Sequence, residues 1–231
     1  MTAVLHPRVP PRRATARATT WWGKAWVRAV EEAAYAEADL VASRAVARGG
    51  HVGRISTEPG RYVAAVEDGR GLWTVEGTVP ALDPRDVDAL VETVAAESGR
   101  IAALLAGELP HTLVEHAEEA GVELLPYGGE LGSTCTCDHW TDPCVHALAV
   151  LHQLAWLVDA DPFVLLQLRG LSRDELLSRL HARTADQHPD DPEGPDDRVD
   201  LDAALEAALY AARVLGDVSP ATDPAPPAPS G

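Results

Sequence analysis

The residues best suited to chemistry lie close together near the middle of the chain. All three cysteines fall within ten residues, as Cys135 and Cys137 and then Cys144, and His146 follows two residues later. Three thiolates and one imidazole are a donor set that closes a tetrahedral zinc site. The pattern therefore predicts one structural zinc ion held by Cys135, Cys137, Cys144 and His146.

The spacing of these four residues has a geometric reason. Side chains alternate along a strand, so Cys135 and Cys137 point to one side and can chelate as a pair. We expect Cys144 and His146 in the first turn of a following helix, where the helix dipole should lower the pKa of the Cys144 thiol. The six residues between Cys137 and Cys144, which include Pro143, are enough to return the chain.

Other interpretations of the cluster stay open at this point. An odd number of cysteines argues against a disulfide framework, and the lack of any other cysteine favours metal over three small core residues. His139 and His152 are alternative fourth ligands, although each is typical of a surface or helix-face histidine. A catalytic zinc keeps an open position, which four ligands would fill, so we predict that the protein is not an enzyme.

The composition indicates an acidic folded protein. The 231 residues carry a net charge of −17, and 46% of them are hydrophobic. No stretch approaches 18 consecutive apolar residues, which excludes a membrane-spanning helix. Arg12-Arg13 lacks the apolar stretch that follows a twin-arginine export signal, so we predict a cytoplasmic protein.

The charge is distributed unevenly along the chain. Residues 1–20 contain four arginines and no acid, whereas residues 184–231 contain eleven acids and two arginines. Acidic surfaces repel the phosphates that dominate nucleic-acid affinity, so a large nucleic-acid footprint is disfavoured. Only the basic arm or a local arginine patch could supply one.

Composition and periodicity predict five segments. They are a disordered basic arm at 1–18, a folded region at 19–183 with its metal-binding part at about 122–158, an acidic linker at 184–199, a tethered amphipathic helix at 200–216 and a disordered Pro/Ala-rich tail at 217–231. The helix at 200–216 would need to dock against another surface to be stable.

The folded region is predicted to be α+β, with a small three-stranded antiparallel sheet in a mainly helical framework. The strands of this meander are predicted at Val52 to Thr57, Tyr62 to Glu67 and Leu72 to Val79. One or two helices should precede it over 21–48. After it we expect a helix from Pro84 to Gly107, a shorter one from Thr112, an apolar one from Cys144 to Val158, and two more that begin near Pro162 and Ser172.

The C-x-C-x6-C-x-H pattern resembles the SWIM zinc finger, whose signature is C-x-C-x(n)-C-x-H. Flanking motifs are similar to those of bacterial SWIM zinc-finger proteins. They are Thr20-Trp21-Trp22-Gly23-Lys24-Ala25-Trp26, Leu104-Leu105-Ala106-Gly107-Glu108-Leu109-Pro110, Leu124-Leu125-Pro126, Asp161-Pro162-Phe163 and Leu168-Arg169-Gly170. The resemblance covers roughly residues 19–183, and it implies zinc at the four ligands in a short β-hairpin followed by a helix.

The resemblance also implies a class of function. SWIM domains occur beside or within helicase-type ATPases, transposases and ubiquitin-pathway proteins, and are generally proposed to bind DNA or proteins. Together with the acidic charge, the resemblance favours a non-catalytic adaptor that binds a protein, such as a helicase-type ATPase. We do not expect it to bind a membrane. The alternative is nucleic-acid binding through the arm or through a face that carries Arg169, Arg173, Arg179 and Arg183. Val145 and the acidic Glu67-Asp68-Gly69 depart from the basic residues of such proteins and weaken the DNA alternative.

The tryptophans divide into two groups. Trp22 and Trp26 are four residues apart on a predicted helix, which is typical of core residues. Trp140 lies between the cysteine pairs and is expected to be exposed. Tryptophan is enriched in binding hot spots, which makes Trp140 a candidate contact for a partner. The helix at 200–216 is the alternative contact surface, and the sequence does not decide between them.

Overall fold

The structure, a computed structural model, describes residues 3–12 and 17–187, with side chains as far as residue 184. The chain divides into two compact units, Met1–Ala182 and Arg183–Gly231. Of the second unit only residues 183–187 are described, as the end of a helix. The remainder of the predicted linker, the helix at 200–216 and the tail at 217–231 lie outside the described residues.

Eight α-helices are found in the described part of the chain. They are α1 Trp21–Ala33, α2 Glu37–Arg48, α3 Pro84–Ala95, α4 Ser98–Leu105, α5 His111–Glu119, α6 Val145–Ala160, α7 Pro162–Leu168 and α8 Arg173–Gln187. Asp83 caps α3 and Asp161 caps α7, each with a proline at the first helical position, as predicted. Helix α8 continues to Gln187, into the stretch expected to be linker.

The single helix expected from Pro84 to Gly107 is divided into α3 and α4. Glu97 has an extended backbone, with φ −138° and ψ 118°. In a continuous helix the Thr93 carbonyl would accept the amide of residue 97, but it accepts Arg100 Nη1 instead, at 2.6 Å. The Arg100 side chain is buried and holds the break in place. The apolar period continues across the break, which is why periodicity alone predicted one helix.

The sheet has five antiparallel strands, so the expected number of three was wrong. Their order is β1 Val4–His6, β2 Val52–Glu58, β3 Arg61–Asp68, β4 Gly71–Thr78 and β5 Gly132–Cys135. The meander β2–β3–β4 lies where the turns predicted it. The two added strands pair with the two edges that the meander leaves open, because unpaired edge groups readily accept another strand.

Strand β1 comes from the arm that was expected to be disordered, so that expectation was wrong over residues 4–6. Val4 pairs with Thr57, and His6 Nε2 lies 3.0 Å from the Thr57 hydroxyl. Further along the arm, Arg8 Nε donates to the Gly50 carbonyl at 3.0 Å. These contacts to the edge of the folded sheet offset the conformational entropy that is lost when the arm becomes ordered.

Strand β5 replaces the β-hairpin that was expected in the finger. It pairs with β4, from Val75 opposite Cys135 to Thr78 opposite Gly132. Among the described residues of the finger no second strand is present. The metal-binding loop is therefore anchored on the main sheet at one end and on α6 at the other.

Helix α6 is the centre of the core. It packs against α1, α2 and the sheet, and it is apolar on most of its circumference, as is typical of a helix buried all round. Trp22 and Trp26 are buried against it, and their indole nitrogens donate to the carbonyls of Val158 at 2.9 Å and Leu151 at 3.3 Å. The prediction that these two tryptophans are core residues is confirmed.

No helix within residues 3–12 and 17–187 is both long enough and apolar enough to cross a membrane.

Candidate metal centre

The structure brings the four predicted ligands together. The donor atoms of Cys135, Cys137, Cys144 and His146 all lie within 4.8 Å of one another. Two Sγ atoms, those of Cys137 and Cys144, are 3.6 Å apart, and Cys135 Sγ is 3.9 Å from His146 Nδ1. Zinc bonds of about 2.0–2.3 Å separate neighbouring tetrahedral ligands by roughly 3.6–3.8 Å. The cluster therefore has the donor set and nearly the dimensions that zinc requires.

The end of strand β5 positions the first two cysteines. Cys135 is its last residue, and the pairing continues one residue further, where the Thr136 amide donates to the Thr74 carbonyl at 3.0 Å. The Thr136 hydroxyl accepts the Thr74 amide in return, at 2.9 Å. A bend begins at Thr136, and its side chain is exposed while those of Cys135 and Cys137 are half-buried. The two cysteines therefore share one side of the chain, as the expected alternation requires.

The beginning of α6 positions the other two ligands. Cys144 is the N-cap residue of α6, and His146 is the second residue inside the helix. Burial raises the pKa of the Cys144 thiol in the protein without bound metal, while the backbone amide of Ala147 acts in the opposite direction. The expectation of a lowered pKa was therefore wrong for the metal-free chain, because desolvation outweighs the helix terminus. Burial likewise raises the pKa of Cys135, to about 12.

Asp68 is a functional residue that the sequence reasoning missed. Its Oδ2 lies 3.1 Å from His146 Nε2. Its Oδ1 accepts the amides of Arg70 at 2.8 Å and Gly71 at 3.0 Å and the indole N–H of Trp73 at 3.1 Å. These hydrogen bonds, that of Arg70 first, lower the pKa of Asp68 and keep it ionised. A carboxylate on one ring nitrogen leaves the other, Nδ1, as the basic donor to a metal.

Trp73 completes the support of the histidine ligand. Its ring stacks on that of His146, with centroids 5.9 Å apart and an interplanar angle of 22°. The turn signal Asp68-Gly69-Arg70-Gly71 predicted where Asp68 lies in the chain. Nothing in the sequence linked it to a histidine 78 residues away.

The two alternative histidine ligands lie outside the cluster. His139 is exposed, and its Nδ1 is 2.6 Å from the hydroxyl of Thr141 and accepts the Thr141 amide at 3.3 Å. His152 is buried on α6 and is not among the four residues that converge. The histidine that fits a metal with the three thiolates is His146.

Trp140 is exposed on the loop between the second and third cysteines. Its side chain is 77% exposed, and it meets Tyr35, which is 72% exposed, edge to face at a centroid distance of 5.2 Å. His139 is stacked on its other side at 6.4 Å. The zinc loop therefore presents an aromatic group to solvent.

Three of the four arginines proposed for nucleic acid contact other groups of the protein, and one of these three is buried. Arg169 is only 4% exposed and donates to two main-chain carbonyls, each at 2.5 Å; burial lowers its pKa. Arg179 forms ion pairs with Asp88 and Glu175. Arg173 lies over the ring of a phenylalanine at 5.4 Å. These contacts leave little positive charge for phosphates on that face.

Comparison with known proteins agrees with the geometry. Residues 120–155 match the family model of the SWIM zinc finger. The uncharacterized protein Rv2102 of Mycobacterium tuberculosis is 31% identical over 171 residues, which are 73% of this chain and 61% of that protein. The chain thus spans about three fifths of the length of this relative. No solved structure matches the chain. The protein carries a SWIM zinc finger at residues 120–155, with Cys135, Cys137, Cys144 and His146 at its signature positions.

Proposed function

We propose that the protein is a non-catalytic adaptor in which one structural zinc ion fixes the finger loop so that Trp140 is presented to a protein partner. The observation that carries the proposal is the exposure of Trp140 on a loop whose two ends, Cys137 and Cys144, belong to the four converging residues. Its ring contacts that of Tyr35, which is also exposed. Large aromatic side chains that remain exposed are the residues most often found at binding hot spots.

The donor set supports a structural rather than a catalytic ion. Three cysteines and His146 fill a tetrahedron, which leaves no position for an activated water. Asp68, the carboxylate nearest to His146, is already used by the imidazole and by three N–H donors. It is therefore poorly placed to act as a general base.

The family resemblance suggests which partner to test first. SWIM fingers accompany helicase-type ATPases, so we propose an ATPase of this kind as the protein that the finger contacts. The net charge of −17 favours a partner with a basic surface, because complementary charge accelerates association.

Capture from lysate of the source organism tests the adaptor function. The tagged full chain is compared with Trp140→Ala and with Tyr127→Ala, which removes another exposed aromatic residue at 57% exposure. We expect a specific protein that is retained by the wild type and by Tyr127→Ala. Trp140→Ala should lose it, with a fall in affinity of about tenfold or more, as is typical when a hot spot is truncated.

Two further results separate binding from folding. Trp140→Ala should keep the zinc content and the melting temperature of the wild type, because an exposed side chain contributes little to stability. Treatment of the wild type with a chelator should release the partner. Equal capture by all three proteins, or repeated absence of any specific protein, would refute the adaptor function.

Nucleic-acid binding through the basic arm is the second candidate. The observation that favours it is Arg17, which borders a cavity beside Lys24, Arg44 and Arg48. Fluorescence anisotropy with labelled single- and double-stranded DNA and RNA at low salt tests it. Binding that weakens steeply with salt would support this function over the adaptor.

A further inference from the structure

A cavity of about 460 Å³ lies beside α1, α2 and α6, away from the four ligands of the finger. Small-molecule sites typically have volumes of about 300–1,000 Å³. Val27 and Trp156 provide apolar wall. The cavity is therefore large enough for a small organic molecule.

The charge of this cavity is opposite to that of the protein. Among the described residues that border it, four are cationic, which are Arg17, Lys24, Arg44 and Arg48. The acidic one among them is Glu31, which pairs with Arg44, so these described side chains carry a net charge of +3. In a chain with a net charge of −17, such a concentration of cations creates a local field that attracts anions.

His152 places a polar atom without a partner at this cavity. The residue is 5% exposed and lies on the cavity wall. Its Nε2 is buried and forms no hydrogen bond with any residue of the described chain. A buried polar atom without a partner costs free energy, which a ligand that pairs with it would recover.

The pKa of His152 is lowered, as expected for a buried imidazole near positive charges. Burial first, and then the positive charge of Arg44, lower its pKa to about 4. The imidazole is therefore neutral at physiological pH, and with the proton on Nε2 it can donate a hydrogen bond to an anion.

We propose that this cavity binds a small organic phosphate monoester, with the phosphate among Lys24, Arg44 and His152. A phosphate monoester carries close to two negative charges at neutral pH, which suits a lining of net charge +3 better than a single carboxylate does. Guanidinium groups also match the geometry of phosphate oxygens. The apolar wall of Val27 and Trp156 suits the organic part of the molecule.

Calorimetry of the full chain with adenosine 5′-monophosphate as the probe tests the proposal. Titrations at about 150 mM NaCl, where weak surface attraction is screened, compare it with adenosine and with inorganic phosphate. We expect one molecule of adenosine 5′-monophosphate per chain, bound at least tenfold more tightly than adenosine. Equal affinity for the two would refute a phosphate site.

A pair of variants on helix α1 locates the binding. Lys24→Gln removes a cation of the cavity, and we expect it to weaken binding about tenfold, as for loss of a charge-assisted hydrogen bond. Arg28→Gln is the matched control, because Arg28 is 81% exposed in its side chain and pairs with Glu32 instead of lining the cavity. Its affinity should stay within twofold of the wild type. Equal losses in both variants would refute the location.

The ring of His152 gives a second readout that does not depend on these variants. In a nitrogen-15 NMR spectrum of the histidine rings, the Nε2 signal of His152 should move on addition of the nucleotide while that of the exposed His139 stays in place. An unmoved His152 signal at saturation would contradict the proposal. Binding of a 5′-phosphorylated hexanucleotide with none of adenosine 5′-monophosphate would also overturn it, in favour of a nucleic-acid end.

Discussion

Helix α6 carries two buried histidines, six residues apart, in opposite electrostatic surroundings. His146 is 7% exposed and lies among three thiols with the Asp68 carboxylate on its Nε2. His152 is 5% exposed, and its Nε2 has no partner in the described chain, while arginines and Lys24 border its cavity. The helix, the residue type and the burial are nearly the same, and the neighbours differ.

The difference shows that the neighbours decide what a histidine does. The Asp68 carboxylate on Nε2 orients the imidazole of His146 so that Nδ1 faces the three cysteines, which is what a metal ligand needs. Burial first, and then the positive charge of Arg44, lower the pKa of His152 and leave a neutral imidazole beside cationic side chains. One helix can therefore serve a metal at its N-terminus and an anion two turns later.

Removal of zinc is the change that we expect to lower the stability of the protein most. The loss should begin in the finger around His146 and not around His152. Structural zinc contributes on the order of 10 kcal/mol of apparent binding free energy in zinc-finger peptides, so a strong chelator should markedly lower the melting temperature. Hydrogen exchange is expected to rise first over residues 132–146, while the Trp26 region of α1 stays protected. A melt of zinc-loaded protein that does not change with chelator would contradict this role.

Cys137→Ser is the matched control for the chelator. This variant lacks one ligand, so its melting temperature should already be low and should not respond to the chelator. A response equal to that of the wild type would place the metal elsewhere.

The next largest effect should be the loss of stability at acidic pH that the buried, neutral His152 causes. The folded protein keeps His152 neutral down to pH about 4, whereas the unfolded chain takes up the proton near pH 6.5. The unfolded state binds more protons in this window, so stability falls as the pH decreases from 6.5 to about 4. With 1.36 kcal/mol per pKa unit, the loss reaches at most about 3 kcal/mol.

Denaturant unfolding of wild type and His152→Gln across this pH range measures the effect. The difference in the free energy of unfolding between the two should shrink as the pH decreases. The finger ligands are common to both proteins, so their titration cancels. Parallel curves would show that His152 is not a buried neutral group.

Asp68→Asn should have the smallest effect, a loss of about 10–100-fold in zinc affinity, as is typical when the partner of a metal-bound histidine is removed. The amide oxygen can still accept the N–H groups of Arg70 and Gly71, so the turn should persist while the negative charge is lost. Competition with a chromophoric chelator measures the affinity. Asp138→Asn, an exposed acid of the finger loop, is the control and should bind zinc as the wild type does.

Most of the features that were predicted correctly depend on patterns of a few neighbouring residues. The spacing of the cysteines predicted the four residues that converge in the structure, and Asp83-Pro84 and Asp161-Pro162 predicted the beginnings of two helices. These signals act over a few residues, where backbone conformation and capping depend on neighbours in the chain.

Contacts between distant segments account for what was missed. The pairing of β1 with β2 and of β5 with β4 depends on edges that exist only once the meander has folded. Asp68 and the buried Arg100 act through partners that the turn and helix patterns do not encode. The positive charge of the cavity in an otherwise acidic protein was missed for the same reason, since Lys24, Arg44 and His152 come from three different helices.

The metal content of the purified full chain, measured by mass spectrometry beside Cys137→Ser, tests the central claim most directly. We predict one zinc per wild-type chain and none in the variant. Absence of zinc from the wild type, or the same zinc content in both proteins, would contradict the assignment of Cys135, Cys137, Cys144 and His146 as its ligands.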